Sequence, residues 1–410
     1  MSHVLIDAKQ TPSRDKDAGR LLKSPVTIGV NAEFLANGRP DGIPRASFGL
    51  VRAMANEDGS ITWLLFTPRI EWREAAEELR SLANCQIVVT GSMPGRAGRI
   101  FWRLFVLPWL AKRHCVDLLF NPVGNGPAWM PRCIPLVITM HDLAWLDGRE
   151  WYSRGYRLGQ RLLAGRASRL ARQIFAVSNY SAKQIEERLQ IGPDRVIVVH
   201  NGLGAVGSAK APPLDSAGHA SGTPGELHKP MALFVGTLIP RKNLLGVWRA
   251  FSRIREEKGL DVRLIVVGAS RDAKALSAEL KADPNVRFLD YVDDKRLAAL
   301  YKAAAFLVLP SFYEGFGLPI IEAMALGTPV ITSSSSALAE VAGDAALLVD
   351  PRDEEQIYSA MLWLFTDERL RMELAERGMA RARLFTWDSS ARVALAALRS
   401  LVLPASVQAF

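Results

Sequence analysis

Residues 311–322 read Ser311-Phe312-Tyr313-Glu314-Gly315-Phe316-Gly317-Leu318-Pro319-Ile320-Ile321-Glu322, two carboxylates eight positions apart around a glycine turn. The apolar run Ala305 to Leu309 precedes them, and a short apolar segment closed by Gly327 and Pro329 follows. The pattern is that of a buried parallel strand, a glycine loop and a helix opening near Leu318. Such a helix aims unpaired backbone N–H groups and the positive end of its dipole at whatever lies before it, which suits a phosphate. Gly315 and Gly317 let the main chain come close, and Pro319 gives up only an N–H that has no helical partner. Carboxylates beside an anion repel it unless they accept hydrogen bonds from hydroxyls, so Glu314 and Glu322 are candidates for holding a polyol joined to that phosphate. On these residues alone, a loop with two solvated glutamates is the alternative.

A second strand signal, Met231 to Val235, runs into Gly236-Thr237-Leu238-Ile239-Pro240-Arg241-Lys242-Asn243. Two cations then stand at the carboxyl end of a strand, the edge at which doubly wound sheets bind ligands. The Arg241 fork and the Lys242 point charge suit a pyrophosphate; two ordinary surface cations are the alternative. His141-Asp142 follows a third strand signal, Leu136 to Met140, at another carboxyl edge. A histidine there is placed for hydrogen bonding at a reacting centre, or is structural, and Asp142 is placed to orient the loop or cap the next segment. Gly42, in the loop Asp41 to Arg45, could bring backbone N–H groups to a phosphate.

Short apolar runs alternate with helical patterns throughout the 410 residues, which at 49% hydrophobic content supports two α/β domains with mainly parallel sheets. Expected strands in the first half are Val26 to Val30, Ile61 to Phe66, Gln86 to Val89, Leu118 to Asn121, Leu136 to Met140, Ile174 to Val177 and Val196 to Val199. The expected organisation is a disordered tail over 1–24, a domain over 25–203, a Gly-, Ala-, Ser- and Pro-rich linker over 204–229, a second domain over 230–385, and a C-terminal helix over 386–410 packing back on the first domain. The tail lacks the apolar segment of a signal peptide, which implies a cytoplasmic protein. No apolar run approaches the roughly 20 residues that span a bilayer. Cys85, Cys115 and Cys133 show neither disulfide nor zinc spacing and read as small buried hydrophobes.

The net charge of +9 is unevenly placed: up to Leu203 there are 27 Lys and Arg against 18 Asp and Glu, and after it 24 of each. Two segments concentrate the surplus. Arg96 to Arg113 interleaves aromatic and aliphatic residues with basic flanks, and Arg149 to Arg172 carries seven arginines. They fit an anionic membrane surface or a pyrophosphate-linked lipid, or else buried helices with solvated basic ends. No nucleic-acid reader motif accompanies the charge.

Pro310-Ser311 with Glu314 to Glu322, Gly236-Thr237 and Arg241-Lys242-Asn243 together resemble the retaining nucleotide-sugar glycosyltransferases of family four. Tyr291-Val292-Asp293-Asp294, Leu297 to Tyr301 and Glu322 to Ile331 extend the resemblance. So, more loosely, do Gly42 to Arg45, His141 to Trp145, Val177 to Ser181 and Val199 to Gly202. It reaches from about Val26 to about Trp387, and His141-Asp142-Leu143-Ala144-Trp145 looks most like mannosyltransferases of bacterial surface polysaccharide assembly. The resemblance implies a GT-B architecture, two Rossmann-like domains facing across a cleft. His141, Arg241, Lys242 and Glu314 would be catalytic, and Gly42, Gly236, Val292, Gly315, Phe316, Gly317, Leu318 and Glu322 would join Arg241, Lys242 and Glu314 in holding the donor. It further implies GDP-mannose as the donor and a saccharide or lipid-linked saccharide as the acceptor, while the basic first half leaves peripheral contact with the inner face of an anionic membrane open, and the cations Arg241 and Lys242 make metal-independent transfer without a cofactor the expectation. The chain departs from the family at Pro44, where many relatives carry a second glycine, and at Ala305, where an aspartate is common. A nucleotide-sugar epimerase of the same architecture and a noncatalytic sugar-nucleotide-binding protein stay open; a dehydrogenase does not fit, because no Gly-x-Gly-x-x-Gly follows Val30.

Overall fold

Four-residue strands with every residue buried, such as Leu118–Asn121 and Phe306–Leu309, are the mark of parallel sheets covered on both faces, and two such sheets organise the chain. The computed structural model describes residues 26–38, 41–91, 95–147, 151–208, 229–269 and 277–402. The N-terminal tail and most of the expected linker lie outside them.

The first sheet is built from β1 (Thr27–Asn31), β2 (Thr62–Thr67), β3 (Cys85–Val89), β4 (Leu118–Asn121), β5 (Leu136–Met140), β6 (Gln173–Ala176) and β7 (Val196–Val198), in the order β3-β2-β1-β4-β5-β6-β7. All its pairings are parallel, with Thr27 beside Thr62 and Ile28 beside Leu118. The second comprises β8 (Met231–Val235), β9 (Arg263–Val267), β10 (Val286–Leu289), β11 (Phe306–Leu309), β12 (Val330–Ser333) and β13 (Leu347–Val349), also all parallel, in the order β10-β9-β8-β11-β12-β13. Each order reverses once, at β1/β4 and at β8/β11, and a crevice opens at the carboxyl ends of the strands on either side of such a reversal. That topology brings the loop after Val235 beside the loop after Leu309.

Strands expected at Val26 to Val30 and Ile61 to Phe66 begin one residue later, because the parallel ladder pairs Thr27 with Thr62 and leaves Val26 to accept from the Thr62 N–H. The first residues of the expected linker are helical: Ala205–Ser208 form one turn, and Val206 is fully buried in the second domain's core.

One core fills the second domain, and two cover the faces of the first sheet. The final helix, Trp387–Val402, packs on the helix Gly42–Glu57 and contributes Trp387, Ala391, Ala394, Leu395 and Leu398 to a first-domain core. Trp387 lodges against Gly49 and Gly202, where an added Cβ would come within 2.4 Å of it at either position. The Arg399 guanidinium pairs with Asp58, and the Ser390 hydroxyl donates to the His200 carbonyl at 2.6 Å.

The basic aromatic segment is neither all core nor all surface. Helix Gly95–Phe101 passes through a wide π turn, Trp102–Val106, into helix Leu107–Arg113. Trp102, Leu107 and Leu110 enter a core, while Phe101, Phe105 and Trp109 stay about half exposed.

Candidate active site

At the β8/β11 reversal, β8 runs into Gly236, whose φ of +149° is open to glycine rather than to a side chain. The chain then makes a 3-10 turn, Pro240–Lys242, and Asn243 follows in the left-handed region with its amide donating to the Pro351 carbonyl at 2.7 Å. Lys242 folds back over Gly236, its Cε 3.4 Å from where a Cβ would stand. From β11 the second loop returns alongside: the Phe312 N–H donates to the Arg241 carbonyl at 2.9 Å, and the Arg241 guanidinium donates to the Tyr313 carbonyl.

These backbone links set Glu314 against both cations. Its Oε1 lies 2.5 Å from the Lys242 ammonium and its Oε2 lies 3.0 Å from Arg241 Nη1, with each side chain about nine-tenths buried. Burial works against the Glu314 charge, yet Arg241 and Lys242 outweigh it and bring its pKa down to about 2. Burial lowers the Lys242 pKa, with Glu314 opposing, while Glu314 overcomes burial to raise that of Arg241. With all three ionised the triad keeps a net positive charge, and Arg241 Nε is buried without a hydrogen-bond partner.

Gly317, at φ +107°, is the N-cap of helix Leu318–Ala325, and Pro319 is in its first turn. A side chain at Gly317 would press on Leu338 at 2.6 Å. The Phe316 ring is buried against His200 and Phe385, so this residue offers the site its backbone rather than its side chain. Val292 is likewise packed in the second core, which leaves its main chain as the group able to reach a ligand. Leu318 is half-buried and packs against cores of both domains. Glu322 lies deeper than a solvated carboxylate: the Tyr301 hydroxyl donates to its Oε2 at 3.0 Å, and burial raises its pKa against the pull of Arg45 and of that bond.

The first domain meets this loop from across the cleft. A Cβ on Gly315 would lie 1.7 Å from the His141 carbonyl oxygen, so the backbone passes where no other residue fits. The Gly315 carbonyl accepts from Ser178 Oγ at 2.8 Å and from Ser181 Oγ at 3.2 Å. His141 Nε2 lies 2.7 Å from the Pro122 carbonyl, an acceptor, so Nε2 carries hydrogen and Nδ1 is the acceptor when the ring is neutral. Burial lowers the His141 pKa, opposed by that bond and by Asp142, which favours the neutral ring. Asp142 Oδ1 accepts from the Ala144 N–H at 3.1 Å and caps the short helix Ala144–Asp147. Gly42 opens the helix Gly42–Glu57 with free space around it, and in the same turn Arg45 reaches Asp294 of the second domain at 2.6 Å.

Arg241, Lys242, Glu314 and the tip at Gly315 to Leu318 therefore stand together, with His141 facing them; Glu322 lies one helical turn further in, by Tyr301 and Arg45. Tyr152, whose phenol feels Arg241 and Glu314, and the Arg45–Asp294 bridge belong to the same surroundings. Sequence reasoning named Arg45 without its partner and passed over Tyr152, which follows no strand. Among the described residues no three His, Cys, Asp or Glu side chains are grouped to hold a metal ion.

Two family profiles match in tandem: residues 40–204 match Glycosyltransferase Family 4, and residues 223–381 match Glycosyl transferases group 1. An Escherichia coli protein named O-antigen chain mannosyltransferase B is 40% identical over 162 residues, 38% of this chain and 42% of that one. The chain spans less than two thirds of the length of the curated relatives it matches, including 42%, 63% and 65% of three of them. Sucrose-phosphate synthase from Thermosynechococcus elongatus superposes with a TM-score of 0.73 at 20% identity, covering 92% of this chain and 99% of that one. Anabaena Alr3699/HepE, solved in complex with UDP-glucose, superposes with a TM-score of 0.66 at 18% identity, covering 91% and 99%. Two parallel-sheet domains, with a Glu-Gly-Phe-Gly loop and an Arg-Lys pair meeting at the second sheet's reversal, accord with both profiles, and the chain belongs to family 4 of the glycosyltransferases, with the GT-B architecture.

Proposed function

We propose that the protein transfers a hexose, mannose in our reading, from a nucleoside-diphosphate sugar to a saccharide or lipid-linked saccharide acceptor, with retention of anomeric configuration. The observation that carries this is the Arg241, Lys242 and Glu314 triad beside a helix tip, its backbone in contact with His141 of the other domain. Breaking the bond between sugar C1 and the diphosphate oxygen loads negative charge onto the β-phosphate. Arg241, Lys242 and the N–H groups at Phe316 to Leu318 are fixed donors for that charge, so a divalent ion is not needed to neutralise it. The acceptor hydroxyl attacks C1 from the face the diphosphate leaves; the new C–O bond forms as the old one breaks, and the hydroxyl proton passes to the departing oxygen.

Glu314 holds the two cations at a fixed spacing, and its remaining lone pairs can accept from sugar hydroxyls. Glu322, behind the tip, accepts from a donor hydroxyl, and Gly42 and Gly236 let backbone approach the diphosphate. His141 contributes its carbonyl or Nδ1 as an acceptor at the sugar. GDP-mannose as donor and surface polysaccharide as product are supported by the mannosyltransferase names among the relatives, including the O-antigen enzyme. A lipid-linked acceptor would place the enzyme at the cytoplasmic face of the membrane. None of the described helices is long and apolar enough to cross it.

The test is turnover. Purified protein is given GDP-mannose, UDP-glucose or an ADP-sugar with lipid-linked oligosaccharides, and the anomeric proton of the product is followed by NMR. Acceptor-dependent release of nucleoside diphosphate with retained configuration supports the reading. An inverted product, or interconversion of the sugar without acceptor, overturns it.

A further inference from the structure

A cavity of about 410 Å³ opens at the amino ends of β6 and β7, on the opposite edge of the first sheet from His141. Arg169, Arg172 and Gln173 line it where helix Arg154–Leu170 gives way to β6. Asp194 and Arg195 line it from the 3-10 turn Pro193–Arg195 that leads into β7, and Leu401 of the final helix lies against it.

The charge here is one-sided, three guanidiniums to one carboxylate. The negative end of helix Arg154–Leu170 points this way, but Arg195 answers it: its Nη2 donates to the Ser168 carbonyl at 2.7 Å and to the Ala171 carbonyl. Those bonds hold the Arg195 fork in a half-buried position, with Arg169 and Arg172 exposed beside it. Among the described residues neither Arg169 nor Arg172 pairs with a carboxylate. Three cations set around one space match the oxygens of a phosphate.

Gln173 supplies a separate signal. Its Oε1 is buried and accepts no hydrogen bond among the described residues. Buried amide oxygens are nearly always satisfied, so this one calls for a donor. An ionised phosphate offers only acceptors, whereas a hydroxyl donates. Asp194 points to the same chemistry, because a carboxylate beside an anion repels it unless hydroxyls bridge the two. The cavity is also of the size that holds a small organic ligand rather than a lone ion.

We infer that this cavity is a second ligand site, remote from the transfer centre, which takes a soluble phosphorylated monosaccharide or polyol. Arg169, Arg172 and Arg195 hold the phosphate, and Gln173 and Asp194 accept from the hydroxyls. Leu401 belongs to the helix that packs on the first domain after the second has ended, so an occupant also braces the last turn of that helix.

The experiment is titration calorimetry of the full chain with mannose 6-phosphate, mannose and inorganic phosphate. Lys242→Ala is the control, since it alters the transfer centre and leaves the cavity intact. Mannose 6-phosphate should bind the wild type and Lys242→Ala alike, at least about tenfold more tightly than either mannose or inorganic phosphate. R169A/R172A should weaken it at least about tenfold while keeping the wild-type circular dichroism spectrum, because both side chains are exposed. Q173L should weaken mannose 6-phosphate and leave inorganic phosphate unchanged. No binding of mannose 6-phosphate would overturn the inference. So would equal binding of inorganic phosphate, which would make the cavity a seat for an adventitious ion only. Loss in Lys242→Ala with none in R169A/R172A would place the ligand in the transfer centre instead. Capture of the protein by phosphatidylglycerol vesicles through Arg169 and Arg172, without binding of the soluble sugar phosphate, would assign these arginines to a lipid headgroup and overturn it as well. None of these measurements needs donor or acceptor, so the turnover assay decides the transfer reading separately.

Discussion

The Glu314 carboxylate sits 2.5 Å from the Lys242 ammonium, a contact between two loops that meet only because β11 pairs with β8. The carboxylate keeps two buried cations charged and spaced, and removing it leaves both uncompensated. Glu314→Ala is expected to cost about 3–5 kcal/mol of stability and to remove nearly all turnover. In Glu314→Gln, which keeps the volume, added nucleoside diphosphate should raise the melting temperature at least as much as in the wild type, because its anion replaces the lost carboxylate. A vanished thermal shift in Glu314→Gln would show instead that the carboxylate itself holds the ligand.

Lys242 and Arg241 differ in kind. Lys242→Ala and Arg241→Lys should each lower kcat about a hundredfold to a thousandfold, since the charge they meet grows in the transition state and Arg241 works as a fork. Steady-state kinetics decides: an effect confined to donor KM would mean that the pair binds the ground state only.

Gly315 tests the closeness of the two domains. Gly315→Ala places a methyl against the His141 carbonyl and should lower kcat/KM at least about a hundredfold while the far-ultraviolet circular dichroism stays unchanged. Near-normal activity in this variant would mean that the two backbones do not need to meet for transfer.

Acid should expose two carboxylates. Glu314 and Glu340 are both held down to about 2, the first by Arg241 and Lys242 and the second by His200 and the amides of Asn179 and Tyr180, in each case against burial. A lowered folded-state pKa means the unfolded chain binds more protons below its own carboxylate pKa. The stabilisation is therefore present above about pH 4.5 and is lost as the pH falls towards 2. Chemical denaturation at stepped pH should show this loss, and Glu314→Gln and Glu340→Gln should flatten it; parallel curves for all three proteins would contradict the assignment.

The strand, turn and helix around Glu314 were legible because each signal is local: Gly317 at positive φ, Pro319 at the helix start, and the four apolar residues of β11. The expected strands of both sheets lie within a residue of the observed ones for the same reason. What was not legible needed neighbours. Pairing of Glu314 with both cations depends on strand order, and the partner of Gly315 is a carbonyl in another domain. Phe316 and Val292 carry apolar side chains whose burial no spacing distinguishes from exposure beside a ligand. The segment 96–113 was ambiguous because a single π turn decides which aromatic residues face inwards.

The most direct test of the central claim is titration calorimetry of UDP, GDP and ADP against the wild type, Arg241→Ala and Lys242→Ala. The account predicts that at least one nucleoside diphosphate binds the wild type and that each substitution weakens it roughly tenfold to a hundredfold. Binding of equal strength in all three proteins, or of no diphosphate to the wild type, would contradict it.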